Sequence, residues 1–329
     1  MNLLKKSISI FIIILFALLI INCGSEEQEQ NSTNNMTLNI KAPKISPALT
    51  FARIIENKAF NDNIKVDFTL LSSPTEIPPI LQKESADLVF MPLNLAAKLY
   101  NKGVNYQLYN VVIWGLLNIV TSDPDINDWK DLKGKELYVF GKGSTPDILT
   151  QFLLKKNGLT PGKDIKLIYK QPEQNAQLII ANKIKVAVLP EPVSTLTKLK
   201  NEKAKVIIDY NEEWKKLVSD NIELAQAGIM INKDFAENNK ETVKKISELY
   251  RKEIKYLLNN PEPIAELAVK HKIAANENLI IKSIDKLGLR YKSAEDSMKE
   301  VKEYFKVLYN FNPQTIGGKL PDDDFYYTE

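Results

Sequence analysis

Cysteine occurs once in these 329 residues, at Cys23, and histidine once, at His271. A single thiol leaves no intramolecular disulfide, no CxxC pair and no thiolate cluster for a metal. The lone histidine sits in the polar helical stretch Val269-Lys270-His271-Lys272. Neither a Ser-His-Asp set nor a metal centre can be built around it, and a histidine of this kind belongs to a helix surface or a cap. Arginine is scarce as well: Arg53, Arg251 and Arg290 are the three, and none falls in a turn that could face a ligand. Bidentate clamping of a carboxylate is therefore disfavoured. An excess of one charge is also missing. Setting aside Lys5 and Lys6, 42 basic residues stand against 41 acidic ones, which argues for a soluble body and against a nucleic-acid surface. The acids Asp322-Asp323-Asp324 are consecutive, whereas calcium ligands alternate, so this run reads as a solvated turn.

One long apolar run is present. Residues 8–21 are almost unbroken hydrocarbon behind Lys5 and Lys6, the pattern of an export signal and short for a membrane span of about 20 residues. The segment Ile20-Ile21-Asn22-Cys23-Gly24 that follows resembles a bacterial lipobox, with Asn22 where a small residue is usual. That resemblance implies removal of residues 1–22, acylation of Cys23 and a lipid-anchored, extracytoplasmic protein. Residues 25–35, SEEQEQNSTNN, hold no apolar side chain and are expected to be a flexible tether.

The remainder alternates strand-like and helix-like segments around one stretch, ELYVFGKGSTPDILTQFLLKKN (136–157). Leu137 to Phe140 has strand composition, and Ile148, Phe152 and Leu153 recur at helical spacing. Gly141 and Gly143 allow a sharp turn, Ser144 or Thr145 can cap the helix, and Pro146 and Asp147 suit its first turn. The spacing is not that of a P-loop. Two readings stand: a cup of backbone N–H groups that cradles a ligand, or an ordinary βα turn. A similar turn with Pro43, Ser46 and Pro47 follows a strand around Ile40, and another with Leu93 and Asn94 follows Leu88-Val89-Phe90. This rhythm predicts an α/β protein with mainly parallel sheets, its ligands gathered outside the carboxyl ends of the strands.

The run LYNVVIWGLLNIVT (108–121) is too long for one strand and predicts two segments bent at Gly115, with Trp114 in the core or on a cleft wall. In Pro190-Glu191-Pro192, Glu191 is either a fixed acceptor for a ligand N–H or an exposed loop acid. AQAGIMIN (225–232) is expected to be a second crossing between domains, and the chain beyond Lys233 is helical by period.

Together, GKGSTPD before a helix, LPEP, MPLNLAAKLYNKG, VVIWGLLNIVTSD and the closing FNPQTIGGKLPDDDFYY resemble the substrate-binding lipoproteins of ABC importers, in the nitrate/sulfonate/taurine and thiamine-precursor-like (NMT1/THI5-like) group. The resemblance implies a two-lobed periplasmic-binding-protein-like (type II) fold with a ligand cleft between lobes 36–114 plus 230–329 and 115–229. It implies a monomer that hands a small molecule to a membrane permease and its ATPase, without a cofactor. Binding positions would fall on Pro43, Ser46, Leu93, Asn94, Trp114, Gly143, Ser144, Thr145 and Glu191. The ligand would be a sulfonate- or nitrate-like oxyanion or a thiamine-precursor-like ring. Two alternatives are an enzyme of the thiamine-pyrimidine synthase type, which would need an active-site histidine, for which the chain offers His271 alone, and a cysteine-rich motif, which it lacks, and a ligand-sensing surface lipoprotein.

Overall fold

The computed structural model describes residues 36–43, 46–56, 64–218 and 221–328. The expectations at Cys23 and along 1–35 lie outside the described residues, as do Lys44, Ile45 and the side chain of Ser46. Strands form where branched and aromatic residues cluster: β1 Met36–Pro43, β2 Ile64–Leu71, β3 Leu88–Pro92, β4 Tyr106–Trp114, β5 Leu117–Thr121, β6 Glu136–Val139, β7 Lys166–Tyr169, β8 Val186–Pro190, β9 Lys205–Asp209, β10 Ala225–Asn232 and β11 Leu289–Ser293. Between and after them run α1 Ala52–Glu56, α2 Ile77–Gln82, α3 Leu93–Tyr100, α4 Thr145–Lys156, α5 Pro172–Ile180, α6 Val193–Lys200, α7 Tyr210–Val218, α8 Lys233–Asn238, α9 Lys240–Asn259, α10 Pro261–Lys270, α11 Glu277–Ser283 and α12 Met298–Phe311. No helix among the described residues is long and apolar enough to cross a membrane.

The strands make two sheets, β11-β4-β10-β3-β1-β2 and β7-β6-β8-β5-β9. Parallel pairing joins β1 to β3 and β6 to both β7 and β8, as the βαβ rhythm predicts. Both sheets are nevertheless mixed. β10 runs antiparallel to β3 and β4, and β5 antiparallel to β8 and β9. The cause is the path of the chain. A strand that enters a sheet by crossing from the other begins at the edge where its neighbours end, and so must run against them. The first crossing is the bend at Gly115, whose φ of +59° is a left-handed conformation that favours glycine. The second falls before Ala225, because β10 pairs with β4 from its first residue. β11 was not expected within the helical C-terminal region. Its sequence, LRYKS, carries two charges in five residues, which an edge strand accommodates and a periodicity search overlooks.

Alternation along β3 shows how the core is divided. Val89 and Met91 join a cluster that runs on through Leu117, Leu137, Val139 and Ile148 of the second sheet, and Leu88 and Phe90 join another under the helices on the opposite face. Into that second cluster α9 buries Val243, Ile246, Tyr250, Ile254 and Leu257, a stripe at helical spacing. The tail is fastened, too. Asn101 donates to the carbonyls of Ile316 and Lys319 at 2.7 Å each, Lys302 pairs with Asp323 at 2.6 Å, and Tyr100 donates to Asp322.

Candidate functional site

Strand ends from both sheets border a cavity of about 470 Å³. The first sheet contributes Phe90 and Pro92 of β3, Ile113 of β4, Gln226 and Ala227 of β10, and Leu49 from the turn after β1. From the second come Leu117, Phe140, Thr145, Pro146, Pro190 and Glu191. Ile273 to Asn276, with Leu279 and Ile280 of α11, complete the wall. It is the carboxyl edge of the parallel strands, where ligands of such sheets collect.

Three helices of the second sheet start at this cavity, each with a proline at its N-terminus: α4 with Pro146, α5 with Pro172 and α6 with Pro192 as its N-cap. Their N-terminal N–H groups and dipoles would attract an anion, but each start already carries an acid. Asp147 occupies the first turn of α4 and Glu173 that of α5, while a Glu191 oxygen accepts the Thr195 N–H of α6 at 3.2 Å. Among the described lining residues there is no lysine, arginine or histidine. The arginines are engaged elsewhere: Arg53 with Glu253 at 3.1 Å, Arg290 with Glu223, and Arg251 over the Tyr291 ring.

Of the positions named from the sequence, Thr145 and Glu191 line the cavity. Thr145 is buried and donates to Asn94 Oδ1 at 2.8 Å. Its only proton thus given, it accepts from Tyr304 O–H at 3.2 Å, a hydroxyl whose pKa burial pushes far above its ordinary value, so that it remains a neutral donor. Asn94 therefore supports the wall through Thr145. Glu191 is 5 % exposed and is not the surface acid that its loop composition suggests. Besides Thr195 it accepts from Asn118 Nδ2 at 3.4 Å.

The remaining named positions lie off the cavity wall. Leu93 is fully buried in the core, and Pro43 is buried at the end of β1. Gly143 and Ser144 belong to a turn that satisfies itself: Gly143 N–H donates to Asp147 at 2.8 Å and Ser144 Oγ donates to the Gly141 carbonyl at 2.5 Å. Trp114 donates from Nε1 to the Arg290 carbonyl at 2.9 Å and lies under the cationic groups of Arg290 and Lys292. It lines a second recess of about 400 Å³, shared with Asn118, Glu191, Asp209 and Asn211. His271 is at the end of α10 and bonds Glu56 through Nε2 at 2.8 Å, away from the cavity lining.

Sequence reasoning missed Gln226. It stands between Ala225, opposite Trp114, and Ala227, opposite Ile113, as the extra residue of a β-bulge. A bulge re-aims a side chain against the strand's alternation, so no period could have marked it.

A cavity between two facing α/β sheets, walled by residues from both and spanned by paired crossings, defines a binding-protein fold. The NMT1/THI5-like family model matches residues 63–264, and the chain belongs to that family. Among solved structures, an ABC transporter protein from Parabacteroides distasonis is 26 % identical, covering 90 % of this chain and 99 % of its own, with a TM-score of 0.77. The periplasmic aliphatic sulphonate binding protein SsuA from Escherichia coli is 16 % identical over 89 % of this chain and 94 % of its own, at a TM-score of 0.68. The alkanesulfonate-binding protein SsuA from Xanthomonas axonopodis pv. citri, bound to MOPS, is 16 % identical over 88 % and 96 %, at 0.64. These last two likenesses are of fold. No curated protein matches the chain.

Proposed function

We propose that this chain is the substrate-binding component of an ABC importer, held outside the cytoplasm by a lipid on Cys23, where it captures a small molecule and delivers it to a permease as a monomer. The observation that carries this reading is the cavity of about 470 Å³ at the strand ends of both sheets, within a family of this fold. Residues 36–114 with 225–329 form one lobe and 115–224 the other, hinged at Gly115 and before Ala225. Thr145 and Glu191 touch the ligand, and Asn94 and the Gly143-Ser144 turn support them. The thiamine-pyrimidine synthase alternative finds little support, since His271 is bound to Glu56 away from the cavity.

The lining suits a ligand with an apolar part against Phe90, Phe140 and Leu279. Its polar part, that of a sulfonate- or nitrate-like oxyanion or of a thiamine-precursor-like ring, meets Thr145 and Glu191.

A thermal-shift screen of the mature protein against sulfonates, nitrate, bicarbonate, pyrimidines and flavins tests this, because binding to the native state alone raises its melting temperature. A rise with a compound of one of these classes is the expected outcome; no rise with any of them counts against the binding reading. For the anchor, labelled palmitate is expected in the wild type and not in Cys23→Ser, and equal labelling of both would remove it.

A further inference from the structure

The run from β4 to β5 is a partition. Ile113, Leu116 and Leu117 border the cavity, whereas Trp114, Gly115 and Asn118 border the second recess of about 400 Å³. Within each strand neighbouring residues face opposite ways, so the two hollows lie on opposite sides of the run. A pivot joins the two crossings there. A Cβ added to Gly115 would stand 2.3 Å from Asn211 Cβ, and Asn211 Oδ1 accepts the Leu224 N–H at 2.9 Å, so one side chain of α7 abuts the first crossing and holds the second. Beside the partition, α6 of the second sheet and α11 of the first pack together. α6 begins with Val193 at the cavity and reaches the recess at Lys198; α11 has Leu279 and Ile280 at the cavity, and the chain comes to the recess at Asp285 and Lys286. Both therefore run from one hollow to the other in the same direction, which brings Lys198 and Asp285 to one rim. That rim carries both signs on both sides, with Lys198 and Asp209 facing Asp285 and Lys286 across the opening, all four exposed. Lys286 lies 3.7 Å from Asp285 on its own side, Asp209 accepts the N–H groups of Asn211 and Glu212 at 2.8 and 3.1 Å, and Lys198 has no acidic partner among the described residues.

We propose, resting on the two-lobed binding-protein reading above, that this recess is a counter-cleft to the ligand cavity. Rotation about Gly115 that spreads Val193 from Leu279 draws Lys198 towards Asp285, because the two pairs stand at opposite ends of the same packed helices. Opening the cavity therefore narrows the recess, and an ion pair between Lys198 and Asp285, with Asp209 and Lys286 beside it, stabilises the open lobes. A ligand that closes the cavity has to break that pair. The recess thus lowers affinity for every ligand alike, in proportion to the fraction of molecules it holds open, and sets a release threshold without touching the ligand.

Spin labels on Lys170→Cys and Glu277→Cys, exposed positions beside the cavity on different lobes, measure its opening with no ligand added, and the Cys23→Ser chain that carries them has no other thiol. At low salt Lys198→Asp, which sets like charges across the recess, is expected to move the distance distribution towards its shorter component. Asp285→Lys is expected to do the same, and the double exchange Lys198→Asp/Asp285→Lys to restore the wild-type distribution. The shifts should fade at about 1 M salt, where exposed charges are screened within a few ångströms. Calorimetry with methanesulfonate, nitrate and a pyrimidine is expected to show affinity raised about two- to fivefold in each single variant for whichever compound binds wild type, and returned in the double exchange. All these changes are on the surface, so melting temperatures close to wild type are expected throughout. Single variants whose distances match wild type at low salt overturn the counter-cleft, whatever the protein binds. Distances that shift but are not restored by the double exchange overturn the pairing of Lys198 with Asp285. Distances that shift and are restored while none of the compounds binds uphold the counter-cleft and count against the binding reading alone.

Discussion

Gly228→Val should yield no soluble, folded protein, and Gly228→Ala a protein weakened by roughly 3 kcal/mol or more. Gly228 lies in β10, between β3 and β4, opposite Met91 on one side and Val111 on the other. A Cβ added there would stand 2.0 Å from the Asn110 carbonyl oxygen. That oxygen is backbone in the neighbouring strand, with no rotamer to relieve the clash, so β10 and β4 must separate. Their separation breaks the sheet at its centre and takes with it the bulge that presents Gln226. Gly143→Val makes the control. A Cβ at Gly143 meets nothing within 4 Å, and the cost is the φ of +74°, about 1–2 kcal/mol. Circular dichroism and urea unfolding of the three variants check the ranking, and a Gly228→Ala protein as stable as Gly143→Val would contradict it.

The contrast between these two glycines shows what a single sequence can carry. Gly143 is conspicuous because its neighbours spell a turn; Gly228 sits unmarked in AQAGIMIN, and its demand comes from Asn110, more than a hundred positions earlier. Local pattern made β3 and β8 readable, because strands buried on both faces are apolar runs, and it made the helices of the C-terminal part readable by period. It also found the two-segment bend at Gly115 and the strand-to-helix turn before α4.

The walls of the cavity were not legible in the same way. They are assembled from Leu49, Ile113, Phe140, Glu191, Gln226 and Ala275, brought together only by the crossing of the chain between sheets. Trp114 ends beside Ile113 in sequence but on another recess, since successive strand residues face opposite sides. Glu191 was found for its stiff turn, while its burial and its bonds to Asn118 and Thr195 depend on β5 and α6 packing around it. The mixed direction of the sheets also followed from topology, not from composition.

Asp147→Ala is expected to destabilise the protein by roughly 3–5 kcal/mol, more than any change to the hydroxyl of Ser144 beside it. Asp147 is 3 % exposed and holds three donors: Gly143 N–H on one oxygen, Gln151 Nε2 and Tyr169 O–H on the other, each at 2.8 Å. Removing the carboxylate leaves those donors without their acceptor in a place where water cannot easily replace it, and hydrogen bonds to a charged group are the strong ones. Ser144→Ala removes one bond to the Gly141 carbonyl on a turn that is partly open to solvent, and about 0.5–1.5 kcal/mol is expected. Asp147→Asn should fall between, because its NH2 must face at least one donor. The turn delivers Thr145 and Pro146 to the cavity, so loosening it is expected to weaken ligand binding as well as stability. Urea unfolding of the three variants decides the order. An Asp147→Ala protein no less stable than Ser144→Ala would mean that the turn is held by the backbone of its own glycines, and that the aspartate is incidental to it.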